Sequence, residues 1–385
     1  MRLATRLACL TVALTALAAC GGPAAPDSSA PAGPTTDVVD VLGRHVQVRT
    51  PSQRILLDGA RMLYTTAFLN KQDPVAGVVG WPDDLAQNDP DTLHRYEKKF
   101  PQVSQVTRTG QVYDGSFSVE QALELRPDVF VVSAANFQAA QDAHIVERLA
   151  AAGVPTVVVD YFVDPLQHTV PSVKLMGRIT GHEREADAFA GWWTGIVDRV
   201  RSRLAAAKPP PTPTFLWRAP GYLDCCATFT TSNLGQLVTA AGGANIAQGM
   251  LPGKQGVLSP EAVLSRNPAV VLTTGANWAP GTQAKPGSFV PLGYDEQPGP
   301  AAAQLRSVVD KQVGFDQLGA VRNHRTYVVW HHFYDSPYNA LALEWFAKWL
   351  HPDQFRDVDP DASMRELHEK FLPVEDTGTF WAPLP

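Results

Sequence analysis

The hydrophobic pattern of this chain contains one segment that occurs twice without a gap, once in each half. Residues 117–136 read FSVEQALELRPDVFVVSAAN, and residues 258–277 read LSPEAVLSRNPAVVLTTGAN. In each copy a serine precedes a short helical stretch, and a proline precedes a continuous apolar run of β-favouring residues. A helix that leads into an apolar strand is the unit of a parallel α/β sheet. The repeat therefore predicts an α/β fold with two Rossmann-like lobes, parallel sheets and a ligand cleft between the lobes.

The same alternation of apolar and polar runs continues on both sides of the repeat. In the first half we predict a hairpin at 38–48, strands at 55–57, 75–79 and 155–160, and helices at 61–70, 89–100 and 139–152. In the second half we predict strands at 214–217 and 326–330, helices at 234–241, 337–350 and 360–371, and a Gly/Pro-rich surface loop at 276–300.

One long amphipathic stretch, 182–206, lies between the two halves and contains no proline. Its apolar positions, such as Phe189, Trp193 and Val200, recur at helical spacing, although two internal glycines weaken the pattern. We predict that this stretch is a long helix that joins the lobes. The resulting division is an N-terminal lobe at 37–165, a linker helix region at 166–207 and a C-terminal lobe at 208–385.

The first residues have the pattern of a targeting segment. Arg2 and Arg6 precede a short apolar run that ends in small residues and Cys20. This order resembles a bacterial lipoprotein signal, which implies removal of residues 1–19 and lipidation of Cys20. The alternative is an ordinary secretory signal with a chance cysteine. Residues 20–36, rich in Pro, Ala, Ser and Gly, predict a flexible tether, so we expect a lipid-anchored protein on the outer face of the cytoplasmic membrane.

Composition limits the possible partners. The chain has 385 residues, of which 45% are hydrophobic and 18% charged, enough for two domains with their own cores. The net charge of −6 provides no basic surface for nucleic acid, and it becomes −8 once Arg2 and Arg6 are removed. We expect a monomer without a cofactor and without a metal site built from its own side chains.

Two adjacent cysteines, Cys225 and Cys226, remain after the targeting segment. Consecutive Cα atoms lie about 3.8 Å apart, below the usual disulfide range of about 4.4–6.8 Å. An oxidising envelope nevertheless favours pairing. A vicinal disulfide, two free thiols and a metal-ligand role all stay open at this point.

Several further segments match one family in order. These segments are 40–46 (DVLGRHV) with 54–56, the two Ser-x-Glu helix starts, 241–247 (AGGANIA) and 337–352. With them the chain resembles the periplasmic-binding-protein class that supplies ferric siderophores, haem or vitamin B12 to ABC importers. The resemblance extends over about 37–371. The adjacent cysteines and the loop at 276–300 are not part of the family pattern.

The resemblance implies partners and roles for particular residues. An ABC permease and its ATPase are the implied partners, and Glu120 and Glu261, one on each lobe, are the implied permease-docking residues. Each glutamate would lie in the first turn of a helix, so the alternative is that it only complements the helix dipole.

The ligand is expected at the carboxyl ends of the parallel strands, between the lobes. Arginines suit anionic ferric chelates, and aromatic rings provide flat contact surfaces. The candidate ligand-binding residues are Arg61, Trp81, Tyr113, Arg218, Tyr222, Trp278, His331, His332 and Tyr334. The alternative for any single aromatic is packing in a core or at a rim. Neighbouring side chains of an extended segment point to opposite faces, so at most one of the two histidines is expected in the cleft.

The expected function is capture of a ferric siderophore or a similar iron(III) chelate for import. One alternative is a receptor for a free metal ion, haem or cobalamin; a bare ion would need three or four converging His, Asp, Glu or Cys side chains. The other alternative is an envelope enzyme. The sequence contains neither Gly-x-Ser-x-Gly nor His-Glu-x-x-His, so we expect no enzymatic activity.

Overall fold

The computed structural model describes residues 34–280 and 287–385, and residues 35–385 form one compact unit. The predicted signal peptide, Cys20 and most of the predicted tether lie outside the described residues. The first strand, β1 (Thr35–Val39), includes the last two residues of the predicted tether. It pairs antiparallel with β2 (His45–Arg49), which confirms the predicted hairpin. Within the described ranges, no helix has the length and apolarity needed to span a membrane.

The first lobe is built on a five-stranded sheet in which every pairing is parallel, as predicted. Its strands are β3 (Ile55–Leu57), β4 (Val78–Trp81), β5 (Thr107–Arg108), β6 (Val129–Ser133) and β7 (Thr156–Val159), in the order β5-β4-β3-β6-β7. The helices are α1 (Leu63–Leu69), α2 (Asp84–Asn88), α3 (Pro90–Lys99), α4 (Val119–Glu124), α5 (Ala134–Asp142) and α6 (Ile145–Ala151).

Two antiparallel helices, α7 (Pro165–Thr180) and α8 (Glu183–Ala207), follow β7. The long helix predicted at 182–206 is α8, and its apolar side contacts both lobes. Phe189 stacks on Phe68 of α1 with ring centroids 3.9 Å apart. Trp193 donates from Nε1 to Oδ1 of Asn339, which belongs to the second half of the chain, over 2.8 Å. The linker helix is therefore packed against both lobes.

The second lobe repeats the plan with two differences: its main sheet has an antiparallel edge strand, and two further strands form a separate antiparallel pair. Its strands are β8 (Thr212–Trp217), β9 (Ala227–Phe229), β10 (Gly243–Asn245), β11 (Gln255–Val257), β12 (Val270–Gly275), β13 (Thr326–Trp330) and β14 (Trp381–Pro383). The main sheet has the order β10-β8-β12-β13-β14, in which β14 is an antiparallel edge strand and the other pairings are parallel. The separate antiparallel pair consists of β9 and β11. The helices are α9 (Leu234–Ala240), α10 (Pro260–Arg266), α11 (Pro298–Asp310), α12 (Gly319–Arg322), α13 (Asn339–Leu350) and α14 (Pro360–Lys370).

The duplicated segment folds in the same way in both lobes, as predicted: α4 leads into β6, and α10 leads into β12. Ser118 Oγ accepts a hydrogen bond from the Gln121 amide at 3.3 Å, and Ser259 Oγ accepts one from the Ala262 amide at 3.2 Å. Both strands have parallel neighbours on either side. The repeat thus supplies an interior strand to each sheet.

Three local predictions were wrong. The strand predicted at 75–79 is β4, which starts three residues later and includes Trp81. The helix predicted at 139–152 is divided into α5 and α6 at His144, whose φ is 55°. The stretch 276–300 is not simply a surface loop, because Phe289, Val290 and Leu292 are buried and α11 begins at Pro298.

Candidate ligand-binding cleft

A cavity of about 470 Å³ lies between the lobes, at the carboxyl ends of their parallel strands. Segments after β3, β4, β5, β6 and β7 form one side, and segments after β8 and β13, with Gln255 of β11, form the other. The lining residues are Asp58, Gly59, Arg61, Met62, Asp84, Gln111, Tyr113, Ser133, Ala135, Asn136, Val159, Tyr161, Phe162, Arg218, Gln255, Tyr334 and Asp335. A second cavity of about 420 Å³ lies near α14 and β14, entirely within the second lobe. Of these two cavities, the first lies at the position where parallel α/β sheets bind ligands.

Arg61 joins the two walls of the cleft. Its Nε lies 2.8 Å from Oδ2 of Asp84, which follows β4 in the same lobe. Its Nη1 lies 2.8 Å from Oδ2 of Asp335 in the other lobe and donates to the Tyr334 hydroxyl over 2.6 Å. The guanidinium therefore has two carboxylate partners and a phenol partner within the protein. It is already neutralised before any ligand arrives.

Asp58 is the first residue after β3 and is buried in the cavity wall. Its Oδ2 accepts hydrogen bonds from the Ser133 amide and from Nδ2 of Asn136, both over 3.0 Å. Its Oδ1 is buried and has no hydrogen-bond partner among the described residues. Burial raises the pKa of Asp58 to about 7, against the effect of these two donors, and the nearby carboxyls of Asp84 and Asp335 raise it further.

Arg218 and Tyr334 form the wall on the side of the second lobe. Arg218 follows β8, and its Cζ lies 4.7 Å from the ring centroid of Phe229 and 5.6 Å from that of Tyr334. Among the described residues, its side chain makes one hydrogen bond, from Nη1 to Oε1 of Gln255 over a long 3.4 Å. Its Nε is buried without a hydrogen-bond partner among these residues. Phe162 of the first lobe meets Tyr334 edge to face, with centroids 5.5 Å apart. This wall therefore combines aromatic faces with a guanidinium that has unused donors.

Four of the nine predicted ligand residues line the cavity: Arg61, Tyr113, Arg218 and Tyr334. Tyr113 differs from the other three because it is 61% exposed, in the loop that precedes α4. All four lie in loops that follow strands, as the rule for parallel sheets requires. Their role in binding stays a prediction.

Three predicted residues, Tyr222, Trp278 and His331, lie behind Tyr334 and do not line the cavity. Tyr222 stacks on Trp278 with centroids 4.4 Å apart, Trp278 lies 5.4 Å from His331, and His331 lies 4.2 Å from Tyr334. His331 is also bonded at Nδ1 to the Thr274 hydroxyl over 2.8 Å. This row of rings supports Tyr334 from within the second lobe.

The remaining two predicted residues, Trp81 and His332, are fully buried and do not line the cavity. Trp81 belongs to β4, so its side chain packs in the core of the sheet. His332 contacts the carbonyl oxygen of Asn88 through Nε2 over 2.8 Å. Burial, helped by the nearby Arg61, lowers the pKa of His332 to about 3, so this imidazole is neutral at physiological pH.

Sequence reasoning missed the acidic and amide residues of the cavity, above all Asp58, Asp84, Asn136 and Asp335. Asp58 follows a buried strand directly, and that position was a usable signal. Asn136 is the last matched residue of the repeat. Its counterpart Asn277 donates from Nδ2 to Oδ1 of Asp91 over 3.0 Å and so connects the second lobe to the first. The two copies of the repeat have thus acquired different contacts.

Cys225 and Cys226 are joined by a disulfide, with 3.0 Å between their Cα atoms across a cis peptide. The pair lies in the loop between Arg218 and Ala227. The backbone amide of Arg218 donates a hydrogen bond to the carbonyl oxygen of Ala227 over 2.7 Å and so closes this loop. Cys226 exchanges two backbone hydrogen bonds with Leu258, just before α10. No three His, Cys, Asp or Glu side chains among residues 34–280 and 287–385 are grouped to hold a metal ion.

Glu120 and Glu261 are both exposed in the first turns of α4 and α10. Each glutamate follows a cavity-lining residue by a few positions, Tyr113 in one lobe and Gln255 in the other. Glu120 forms an ion pair with Arg148. The two carboxylates therefore occupy equivalent positions on the two lobes.

Several buried hydrogen bonds connect the lobes beside the cavity. Asn233 donates from Nδ2 to the carbonyl oxygens of Phe162, over 2.8 Å, and of Tyr334, over 2.7 Å. The Tyr338 hydroxyl donates to the carbonyl oxygen of Tyr64 over 2.7 Å. Together with the pairs of Arg61, these bonds fix the separation of the two walls.

Two α/β lobes that share a cavity at their strand ends and are joined by a long helix define the class of two-lobed solute-binding proteins. Residues 75–329 match the family model described as periplasmic binding protein, and the chain belongs to this family. The family implies a location outside the cytoplasm, a small-molecule ligand, and an ABC permease and ATPase as partners. Its members are in general solute binders and not enzymes. A comparison with curated proteins finds no match.

Solved structures share the fold. The TroA-like periplasmic binding protein FepB from Veillonella parvula has a TM-score of 0.81 and 26% sequence identity, covering 91% of this chain and 99% of that chain. The molybdate periplasmic binding protein MolA from Haemophilus influenzae, bound to molybdate, has a TM-score of 0.64 and 17% identity over 89% and 99% of the two chains. A periplasmic heme binding protein from Pseudomonas aeruginosa has a TM-score of 0.52 and 18% identity over 78% and 94%.

Proposed function

We propose that this protein captures a ferric siderophore or a similar iron(III) chelate and delivers it to an ABC permease. The observation that carries the proposal is the wall formed by Arg218, Tyr334 and Phe162. A guanidinium with unused donors recognises the oxygen atoms of a chelate, and the aromatic faces cover its apolar parts. The cavity volume of about 470 Å³ falls in the range of small-molecule pockets.

Delivery to the permease is proposed to use Glu120 and Glu261. Both side chains are exposed, and they lie at matching places in the first turns of α4 and α10. A pair of carboxylates separated by the cleft can contact basic residues on two halves of a permease while the ligand faces the translocation path. Lipidation of Cys20 would hold the folded part near the membrane through the tether.

Closure around the ligand is proposed to be small. A ligand drives closure only by binding the closed form more tightly than the open form. The Asn233 amide and the Arg61 pairs already connect the lobes, and α8 packs against both. Scattering profiles of the free and loaded protein should therefore differ little. A large compaction on loading would contradict this view.

The experiment that tests the function is a tryptophan-fluorescence titration of residues 34–385. The panel contains ferric trihydroxamate and ferric catecholate chelates, haem, cobalamin and free metal ions. Saturable quenching by an iron chelate alone supports the proposal. A response only to a free ion, to haem or to cobalamin replaces it with that ligand class, and silence across the panel removes it. Turnover of generic ester and peptide substrates would support the enzyme alternative.

A further inference from the structure

The charges of the cavity are unevenly distributed. Three carboxyl groups line the cavity: Asp58 and Asp84 come from the first lobe, and Asp335 comes from the second. Arg61 is the cation placed among them, and it is paired with Asp84 and Asp335. Asp58 therefore has no cationic partner among the described residues. The three carboxyl groups therefore outnumber the guanidinium among them by two, and Asp58 is the one without an ion pair.

Asp58 is also positioned for a partner that the protein does not supply. Two donors, the Ser133 amide and the Asn136 side chain, hold its Oδ2 and fix the direction of the carboxyl group. Its Oδ1 is buried in the cavity wall without a hydrogen bond. A buried polar atom without a partner destabilises the folded state, so a donor carried by a ligand would remove this cost at Asp58.

The opposite charge lies on the other side of the cleft. Arg218 comes from the second lobe, and its side chain contacts the rings of Phe229 and Tyr334 and the amide of Gln255. It also lowers the pKa of Asp335, although burial raises that pKa overall. It forms no ion pair within 4.0 Å with any carboxylate of the described residues. The cavity therefore presents an unpaired acid on one wall and an unpaired guanidinium on the other.

We propose that the ligand is a dipolar iron chelate that places a primary ammonium group against Asp58 and its metal-binding oxygen face against Arg218 and Tyr334. This inference rests on the proposed function and names the chemical class of chelate. An ammonium group supplies the donor that Oδ1 lacks and the positive charge that the acidic wall lacks. A raised pKa of Asp58 in the free protein agrees with this arrangement, because a bound cation would favour the ionised form.

The test uses the full chain and two ferric trihydroxamates that differ in a single group. Ferrioxamine B carries a primary ammonium, and its N-acetyl derivative carries a neutral amide in the same place. By calorimetry, the protein is expected to bind ferrioxamine B at least about tenfold more tightly than the acetylated chelate, the scale of one charge-assisted hydrogen bond. The variant Asp58→Asn keeps an acceptor for the Ser133 and Asn136 donors and is expected to bind both chelates equally.

Matched measurements separate the possible results. Asp316→Asn, on an exposed residue of the second lobe, should keep the full preference. Undiminished binding of the acetylated chelate by Asp58→Asn shows that this variant is folded. Equal binding of both chelates by the unaltered protein, or a preference that persists in Asp58→Asn, overturns the inference and leaves the proposed function standing. Binding only of chelates without an amine overturns the inference as well. If no iron chelate binds, the proposed function fails, and the inference fails with it.

Discussion

Arg61 of the first lobe and Asp335 of the second form an ion pair across the cleft, with 2.8 Å between Nη1 and Oδ2. The same guanidinium holds Asp84, so one side chain satisfies an acid from each lobe. An arginine in a cleft is readily interpreted as an anion-binding residue. Here Asp84 and Asp335 neutralise the charge of Arg61, and Arg218 is the arginine of the cavity lining that remains for a ligand.

Removing the Arg61 guanidinium should destabilise the fold. In Arg61→Met, two largely buried carboxylates lose their counterion, and such a loss costs about 3 kcal/mol of unfolding free energy. Urea unfolding measures this value. The control is Arg356→Met, whose pair with Asp353 is exposed and should contribute less than about 1 kcal/mol. An equal effect of the two variants would show that Arg61 is not a structural link.

Replacing Arg218 should affect binding more than stability. Arg218→Met keeps the apolar contacts of the side chain with Phe229 but removes the donors toward the cavity, so affinity for the iron chelate is expected to fall about tenfold or more. The urea midpoint should change little, because no described carboxylate lies in an ion pair with this residue. Calorimetry checks the affinity, with the 92%-exposed Arg184 as the control site. Unchanged affinity in Arg218→Met would remove this residue from the binding site.

Charge reversal at Glu120 and Glu261 should separate transport from binding. Both residues are exposed and lie outside the cavity lining, so Glu120→Lys with Glu261→Lys is expected to abolish chelate uptake into cells while leaving the affinity intact. Glu124→Lys changes an exposed acid at the other end of α4 and should leave uptake nearly normal. Normal uptake by the double variant would mean that these glutamates only stabilise the N-termini of α4 and α10.

The stability of the free protein should depend on pH in a defined direction. Burial raises the pKa of Asp58 to about 7, so the folded state binds a proton more tightly than the unfolded state, whose carboxyl has an ordinary value near 3.8. The unfolding free energy contributed by this group therefore rises as the pH falls from about 8 toward 4. Asp335, Asp89 and Asp91, whose pKa values burial raises to about 6, act in the same direction.

Urea unfolding between pH 5 and pH 8 can isolate the contribution of Asp58. Asp58→Asn removes the titrating group but keeps an acceptor for the Asn136 donor, so the pH dependence between about 6 and 8 should become shallower. The residues that face this carboxyl, Asp84 and Asp335, are retained in the variant. The same slope in both proteins would show that Asp58 titrates normally.

The parts of the fold that the sequence predicted correctly are those governed by local signals. Ser118 and Ser259 cap helices through bonds to residues three positions away, and the apolar runs that follow need only burial to become strands. Arg218 and Tyr334 line the cavity because each lies in the segment that follows a parallel strand, β8 or β13. The repeat therefore contained enough information to predict the architecture.

What could not be predicted depends on contacts between distant residues. Arg61 and Tyr334 are 273 positions apart, and nothing in either segment indicates that the arginine is neutralised by the other lobe. Trp81 was assigned to the cleft because β4 was placed three residues too early. Trp278 and Tyr222 stack on each other behind the wall, where Trp278 and Phe289 are buried. The hydrophobic pattern shows which side chains are apolar. It does not show whether an apolar side chain packs in the core of a lobe or lines the cavity.

The amide of Asn233 has a consequence for the kinetics of capture. It donates to a carbonyl oxygen of each lobe and so sets the gap between the walls when the protein folds. The loss of conformational entropy that orders the cavity therefore occurs during folding and not during binding. The cavity then works as a rigid template, and solutes compete by fit and charge and not by their ability to close the protein. Differences in affinity among related chelates should consequently lie in how slowly each one leaves.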